Sequence, residues 1–348
     1  MKRTMFIFSL IIILVFATNA TQAAQDQDTK QTVVLRSADV FTVGHPGYKT
    51  AKYFIERLGE ISKGTIKVEY FPAQQLGKLK DMLKLASEGL ADMTYVPPSY
   101  FAGQLPLNTV VILPRWTTAT EGTKIYNRLI EKCPELIEEF LKYGVRPILV
   151  NTTSQYDVGT VKKPVRAPED LKGLKLHASG GLFDRIAAKY GIIPVNVSSA
   201  ETYEATQRGV IEGATMSYPS VKGYRLNELE KYHTLGLRMG GFPATNVINE
   251  KKWQSLSEEA RQALITASID TNKIHAEGWD KMTQGLAAQF EKEGMAIYRV
   301  TPQERAKWDV FLKDIEDEWL QEMGKKGLQT KAKKVLDEYR KICEEVVK

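Results

Sequence analysis

Cysteine, histidine and long apolar runs are all scarce in this chain. Its 348 residues hold two cysteines, Cys133 and Cys343, and four histidines. Two cysteines cannot staple a domain of this length, and no CxxC spacing offers a metal or redox site. The two either pair or stand as free, partly buried thiols, and their places in helical patterns favour free thiols. His45, His177, His233 and His275 show no metal-ligand spacing. HExxH, GxSxG, a Walker loop and a GxGxxG turn after a strand are all missing. The sequence therefore gives no reason to expect catalysis, a metal or a cofactor. Lys and Arg (48) exceed Asp and Glu (42), for a net charge of +6. The basic residues are interleaved with acids and form no block, so nucleic acid is not an expected partner.

The one long apolar run is Phe6 to Ala17, broken only by Ser9. It is shorter than the roughly 20 residues a membrane helix needs. Met1-Lys2-Arg3 precedes it, and Ala20, Ala23 and Ala24 follow. That order is the layout of a cleaved secretory signal peptide over residues 1–24: charge at the membrane surface, an apolar core, then small side chains for the peptidase. The expected address is the periplasm.

Apolar residues make up 43% of the chain and charged residues 26%, as in soluble globular proteins. The length suits two domains. Val33–Ala38 reads as a strand, and Tyr48, Ala51, Phe54, Ile55, Leu58 and Ile61 recur at helical spacing up to a stop at Gly64. Thr65–Tyr70, a helix from Lys78 to Glu88, and Asp92–Val96 complete a βαβαβ order, which calls for a parallel sheet. A helix over 121–143 leads to a strand over Val145–Val150, and Gln155–Val161 reads as a crossing into a second α/β lobe. There Leu174–His177, a helix over 181–190, Ile192–Val197, a capping box at Ser198-x-x-Glu201 and Gly213–Ser217 repeat the alternation. Met239–Asn249 reads as a strand returning across both lobes. A long helix runs from Ser257 to Glu293, Thr301-Pro302-x-Glu304 opens another helix, and a last one covers 329–346. The expected fold is therefore α/β and bilobal, with lobes at 32–155 and 156–245 and residues 246–348 packing on both. Such a shape, with no catalytic motif, suits a binding protein that closes on a solute by hinge motion.

Several segments resemble the solute-binding proteins of the tripartite ATP-independent periplasmic (TRAP) transporters. They are Tyr70-Phe-Pro-Ala-Gln-Gln-Leu-Gly77, Leu113-Pro114, Pro168-Glu-Asp-Leu-Lys-Gly-Leu-Lys175 and Glu201-Thr-Tyr-Glu-Ala-Thr-Gln-Arg-Gly-Val-Ile-Glu-Gly213. The resemblance implies a bilobal periplasmic binding protein fold with crossing strands and a spanning helix. It also implies delivery of a small organic solute to a permease of one small and one large membrane subunit, without chemistry on the solute. Most members hold a solute carboxylate with an arginine at the position that here is His177. Where some add a second arginine, this chain has Asp157, and Met216 stands near a usual asparagine. Strand ends place Phe41, His45, Tyr95, Tyr100 and Phe242 toward the cleft, while Arg115 offers a substitute anion anchor. Family resemblance favours an organic acid; the missing arginine clamp leaves a neutral, aromatic or cationic solute open. A periplasmic enzyme on the same scaffold and an ABC-type or sensor-linked binding protein are the alternatives. N-terminal sequencing of the exported protein should give a start within or just after Ala20–Ala24; a chain beginning at Met1 in the membrane fraction refutes the signal reading.

Overall fold

The computed structural model describes residues 32–347; the signal peptide expected over 1–24 lies outside them. Among the described residues no helix is long and apolar enough to cross a membrane. The chain opens with β1 (Val33–Ala38), α1 (Pro46–Ile61), β2 (Ile66–Phe71), α2 (Met82–Ser87) and β3 (Met93–Tyr95). His45 caps α1 through its side chain and Pro46 sits at the first helical position, where its missing N–H costs nothing. Next come α3 (Ala119–Lys132), α4 (Pro134–Leu141), β4 (Val145–Gln155) and β5 (Asp157–Thr160). The single helix expected over 121–143 is thus two. Pro134 has no N–H and disfavours the helical conformation at Cys133, whose φ of −117° and ψ of 85° end α3.

The second half holds β6 (Lys175–His177), α5 (Leu182–Lys189), β7 (Ile193–Val195), α6 (Thr202–Gln207), β8 (Gly213–Met216), α7 (Tyr218–Gly223) and β9 (Tyr232–Leu235). It continues through β10 (Gly241–Asn249), α8 (Glu250–Ser255), α9 (Glu258–Lys292), β11 (Ala296–Arg299), α10 (Pro302–Asp309), α11 (Ile315–Lys325) and α12 (Gln329–Val346). The sequence pattern had not indicated α7, β9 or β11. Cys133 and Cys343 are both buried and unpaired.

Two sheets form, in the orders β2-β1-β3-β10-β4 and β11-β9-β5-β8-β6-β7. The chain crosses between them twice, from β4 into β5 and from β9 back into β10. β10 inserts antiparallel between β3 and β4, so the returning strand completes the first sheet. At the crossing, Tyr156 N–H donates to the Gly240 carbonyl at 2.8 Å and Met239 N–H to the Tyr156 carbonyl at 3.0 Å. Gly240 takes a φ of 97°, and a Cβ there would lie 2.8 Å from the Ile112 carbonyl oxygen. Glycine is required on both counts.

The third connection is α9, 35 residues long and so about 52 Å from end to end. It packs on α1, α3 and β4 beside the first sheet, and on α7 and β11 beside the second. The C-terminal helices tie back to both halves. Tyr339 donates to the Leu113 carbonyl at 2.6 Å, Trp319 Nε1 to Thr109 Oγ1 at 2.9 Å, and Tyr190 to the Trp308 carbonyl at 3.0 Å. The indoles of Trp308 and Trp319 are almost wholly buried, each burial being worth roughly 1.5–3 kcal/mol or more.

One buried acid in the second half has no counter-charge. Both oxygens of Glu230 lack a partner, and they lie where a Cβ on Gly159 would come within 2.0 Å of one of them. Burial raises its carboxyl from 4.5 to about 8. A raised acid is protonated in the fold, so its contribution is complete below the unfolded value and is lost as pH climbs toward 8. Glu230→Gln should therefore gain stability relative to the native chain between pH 5.5 and 8.5, by on the order of a few kcal/mol. Calorimetric melting at both pH values checks this; a pH-independent difference between the two proteins refutes it.

Candidate functional site

Between the two sheets lies an enclosed cavity. Alternation along the strands selects its first wall: Leu149, Asn151 and Thr153 of β4 and Phe242, Ala244 and Asn246 of β10 all line it, each at every second position. Asp39 and Phe41 enter from the end of β1, Tyr95 from the end of β3, and Met216 from the end of β8. His275 and Trp279 reach in from α9, a spacing of four that places them on one helix face. The space measures about 50 Å³ to water centres, room for about three to five waters.

The walls are largely aromatic. Phe41 stacks on His45 at 4.7 Å between ring centroids and meets Tyr95 at 4.8 Å. Tyr156 and Phe242 lie parallel at 6.0 Å, and Tyr100 meets Phe242 edge-on at 6.1 Å. No Lys or Arg is among the lining residues. Both lining histidines are neutral near pH 7. Burial, then the neighbouring His275, hold His45 down at about 3. Burial holds His275 at about 4 against its bond to the Thr152 carbonyl. His45 Nδ1 accepts from Gly47 N–H at 2.9 Å, so its proton sits on Nε2, which is buried without a partner. His275 Nε2 lies 3.1 Å from the Thr152 carbonyl, which can only accept, and Nδ1 lies 3.0 Å from Thr50 Oγ1.

Asp39 is the one acid of the lining. Its Oδ1 accepts from Phe41 N–H at 3.0 Å and its Oδ2 from the Tyr70 hydroxyl at 2.5 Å. Burial nevertheless lifts its carboxyl to about 7. Among the described residues no group of three His, Cys, Asp or Glu side chains could hold a metal ion.

Of the residues expected from sequence, Phe41, His45, Tyr95, Tyr100, Met216 and Phe242 line this cavity. Three others do not. His177 is fully buried behind Tyr100, with Nε2 at 3.2 Å from the tyrosine oxygen and Nδ1 unpartnered; burial holds it neutral, at about 4. Asp157 turns to the crossing, where its Oδ1 accepts from the N–H groups of Gly236 and Leu237, both at 2.8 Å. Arg115 lies at the surface, paired with Glu316 at the start of α11, where Arg340 joins it. The last helices thus engage the cation expected as a substitute anchor.

Asp39, Tyr156, Tyr224, His275 and Trp279 were not expected from sequence. Strand alternation would have extended Phe242 to Ala244 and Asn246. The buried polar run Thr271, Asn272 and His275 on an otherwise apolar face of α9 was the signal for the helix contribution. Asp39 carried no signal, because one aspartate after a strand is ordinary turn chemistry.

Contacts close the cavity from the second sheet. Tyr100 Oη lies 3.0 Å from Ser199 Oγ, and the His45 ring packs on Tyr224 at 4.4 Å. A Cβ on Gly223 would fall 2.4 Å from His45 Cδ2, so glycine admits the ring. Lys78 and Glu201 pair at 3.4 Å across the rim, an exposed contact worth little by itself.

The family model described as bacterial extracellular solute-binding protein, family 7, matches residues 37–323. A solute-binding protein of Albidiferax ferrireducens is 26% identical over 75% of this chain and 77% of its own length. The sialic acid-binding periplasmic protein of Vibrio cholerae is 25% identical over 74% and 79%. In fold, a TRAP solute-binding protein from Rhodoferax ferrireducens, in complex with copurified benzoate, superposes with a TM-score of 0.83. It is 20% identical, and the match covers 90% of this chain and 98% of the other.

Tyr100→Phe removes the hydroxyl that joins His177 and Ser199. It should open the ligand-free protein, with a larger radius of gyration by small-angle scattering, and cost roughly 1–2 kcal/mol in melting stability. Unchanged scattering and melting would show that Tyr100 does not hold the cleft shut.

Proposed function

The chain belongs to family 7 of the bacterial extracellular solute-binding proteins, and from that premise we propose that it is the periplasmic receptor of a TRAP transporter. It captures one small organic solute between its lobes and hands it to a permease of a small and a large membrane subunit. The observation that carries this reading is the enclosed aromatic cavity between two sheets joined by crossing strands. Binding there, at the ends of β1, β3 and β8, follows the rule that open α/β sheets take ligands at strand ends. The parts read from sequence, lobes at 32–155 and 156–245 with 246–348 packing on both, supply the two jaws and their backing.

Binding without turnover fits the site. Its histidines are neutral and hydrogen-bonded or stacked, and its acid is bonded to a backbone N–H and to a tyrosine hydroxyl held in its neutral form by burial. The relatives are named as binding proteins, which supports the same conclusion. Benzoate and sialic acid, the solutes named with two of them, are carboxylates. A carboxylate here would meet only neutral donors such as His45 Nε2, and would lie in one cavity with Asp39.

A screen of acids, alcohols and amines by thermal shift should find a solute that binds one to one and is recovered intact. At a hundred times its Kd it should add about 2.7 kcal/mol of stability and shrink the radius of gyration. A solute consumed by the pure protein, or saturation without compaction, overturns the receptor reading.

A further inference from the structure

We infer that the cavity selects a small organic cation, an ammonium group held among aromatic walls, with Asp39 as its counter-ion. This deepens the receptor reading and rests on it. The argument begins with charge. The chain has 48 Lys and Arg side chains, and among the described residues none lines the cavity. Arg115, the substitute anchor expected from sequence, is engaged by Glu316 at the start of α11. Asp39 is the one carboxyl group of the lining. None of the ion pairs found among the described residues includes it. An anion placed here would desolvate without a bidentate partner and would face a carboxylate.

Asp39 is also positioned to accept. Phe41 N–H and the Tyr70 hydroxyl each occupy one lone pair of a different oxygen. A carboxylate offers about four such sites, so each oxygen keeps one for a ligand N–H. The walls add the second attraction. Phe41, Tyr95, Tyr100, Tyr156, Phe242 and Trp279 present ring faces or edges around the space, and ring faces attract ammonium groups. His45 and His275 are uncharged and so do not oppose a cation.

The groups that act electrostatically on Asp39 or share its wall are Tyr70, Tyr95, Tyr224 and His45. All three tyrosines are pushed upward by burial, so none of them, nor His45, ionises near neutral pH. Asp39 is then the group of the lining whose charge changes between pH 5.5 and 8.5. A cation binds its ionised form and displaces a proton below about pH 7, where Asp39 is otherwise protonated.

The test is isothermal titration calorimetry of the mature protein with four single-ring probes: benzylamine, benzyltrimethylammonium, benzyl alcohol and benzoate. At pH 7.5 at least one of the two cations should bind tenfold or more tightly than the alcohol, with benzoate weakest. Both cations keep their charge between pH 5.5 and 8, so the affinity of the better one should rise about tenfold from pH 5.5 to 6.5 and flatten toward pH 8. Asp39→Asn should weaken it tenfold or more and abolish the pH dependence. The pH profile of the native protein stands even if that variant folds poorly. Benzoate binding as tightly as the better cation, a flat cation profile, or no cation binding overturns the inference. The receptor reading is judged apart, by mass spectrometry of solute released from the protein purified from its host periplasm. An anion found there defeats the charge assignment alone, and turnover of the released solute defeats the receptor reading.

Discussion

Two sheets share one chain through a crossing only a few residues wide, and the cavity exists because that crossing holds its register. Tyr156 lies between β4 and β5, and its backbone exchanges hydrogen bonds with Met239 and Gly240 on the returning segment. Asp157 secures the neighbouring N–H groups of Gly236 and Leu237, while the Gln155 side chain takes the Gly240 N–H at 2.8 Å. Left unpaired, these buried donors would each cost about 1–3 kcal/mol. Paired, they align the ends of β4 and β10 so that one face of each strand meets the ends of β1, β3 and β8. Asp157 thus serves the architecture on which the cavity depends, from outside the cavity itself.

The same low dielectric governs what the cavity can receive. Burial drives each buried titratable group in it toward its uncharged form, which lowers His45 and His275 and raises Asp39. A site built this way exerts almost no field of its own apart from the single carboxylate. The two relatives named with carboxylate solutes are 20% and 25% identical to this chain. Identity at that level preserves strand order and crossing geometry, since these rest on backbone pairing and apolar patterning. It does not preserve the charge of a pocket, which a few side chains decide. His177, which sequence resemblance had pointed to as the stand-in for a solute-binding arginine, is buried behind Tyr100 and outside the lining.

Much of the architecture was legible from residue order. Apolar spacing located β1, α1, β2, β10 and the last helix within a residue or two, while β4 runs five residues beyond the expected end at Val150. Ser257 and Thr301 announced helix starts through caps that the structure contains. Two of the elements that escaped, β9 and α7, are short and largely buried. β9 has His233 and Thr234 in its interior, so it shows no alternation, and α7 spans six residues around a proline. The continuous helix expected over 121–143 failed for a local reason that was present in the sequence, the proline at 134.

Residue order by itself determined the alternation of strands and helices, the long spanning helix, the want of catalytic motifs and the aromatic strand ends, since these depend on neighbours within one or two turns of chain. Tertiary structure alone decided which polar groups share a cavity. Asp39, Asn151, Asn246 and His275 are separated by up to 236 positions and carry no common spacing. They meet because β10 inserts between β3 and β4 and α9 runs alongside both sheets. The charge of the site follows from that meeting, because burial acts on a group only through whatever the rest of the fold packs around it.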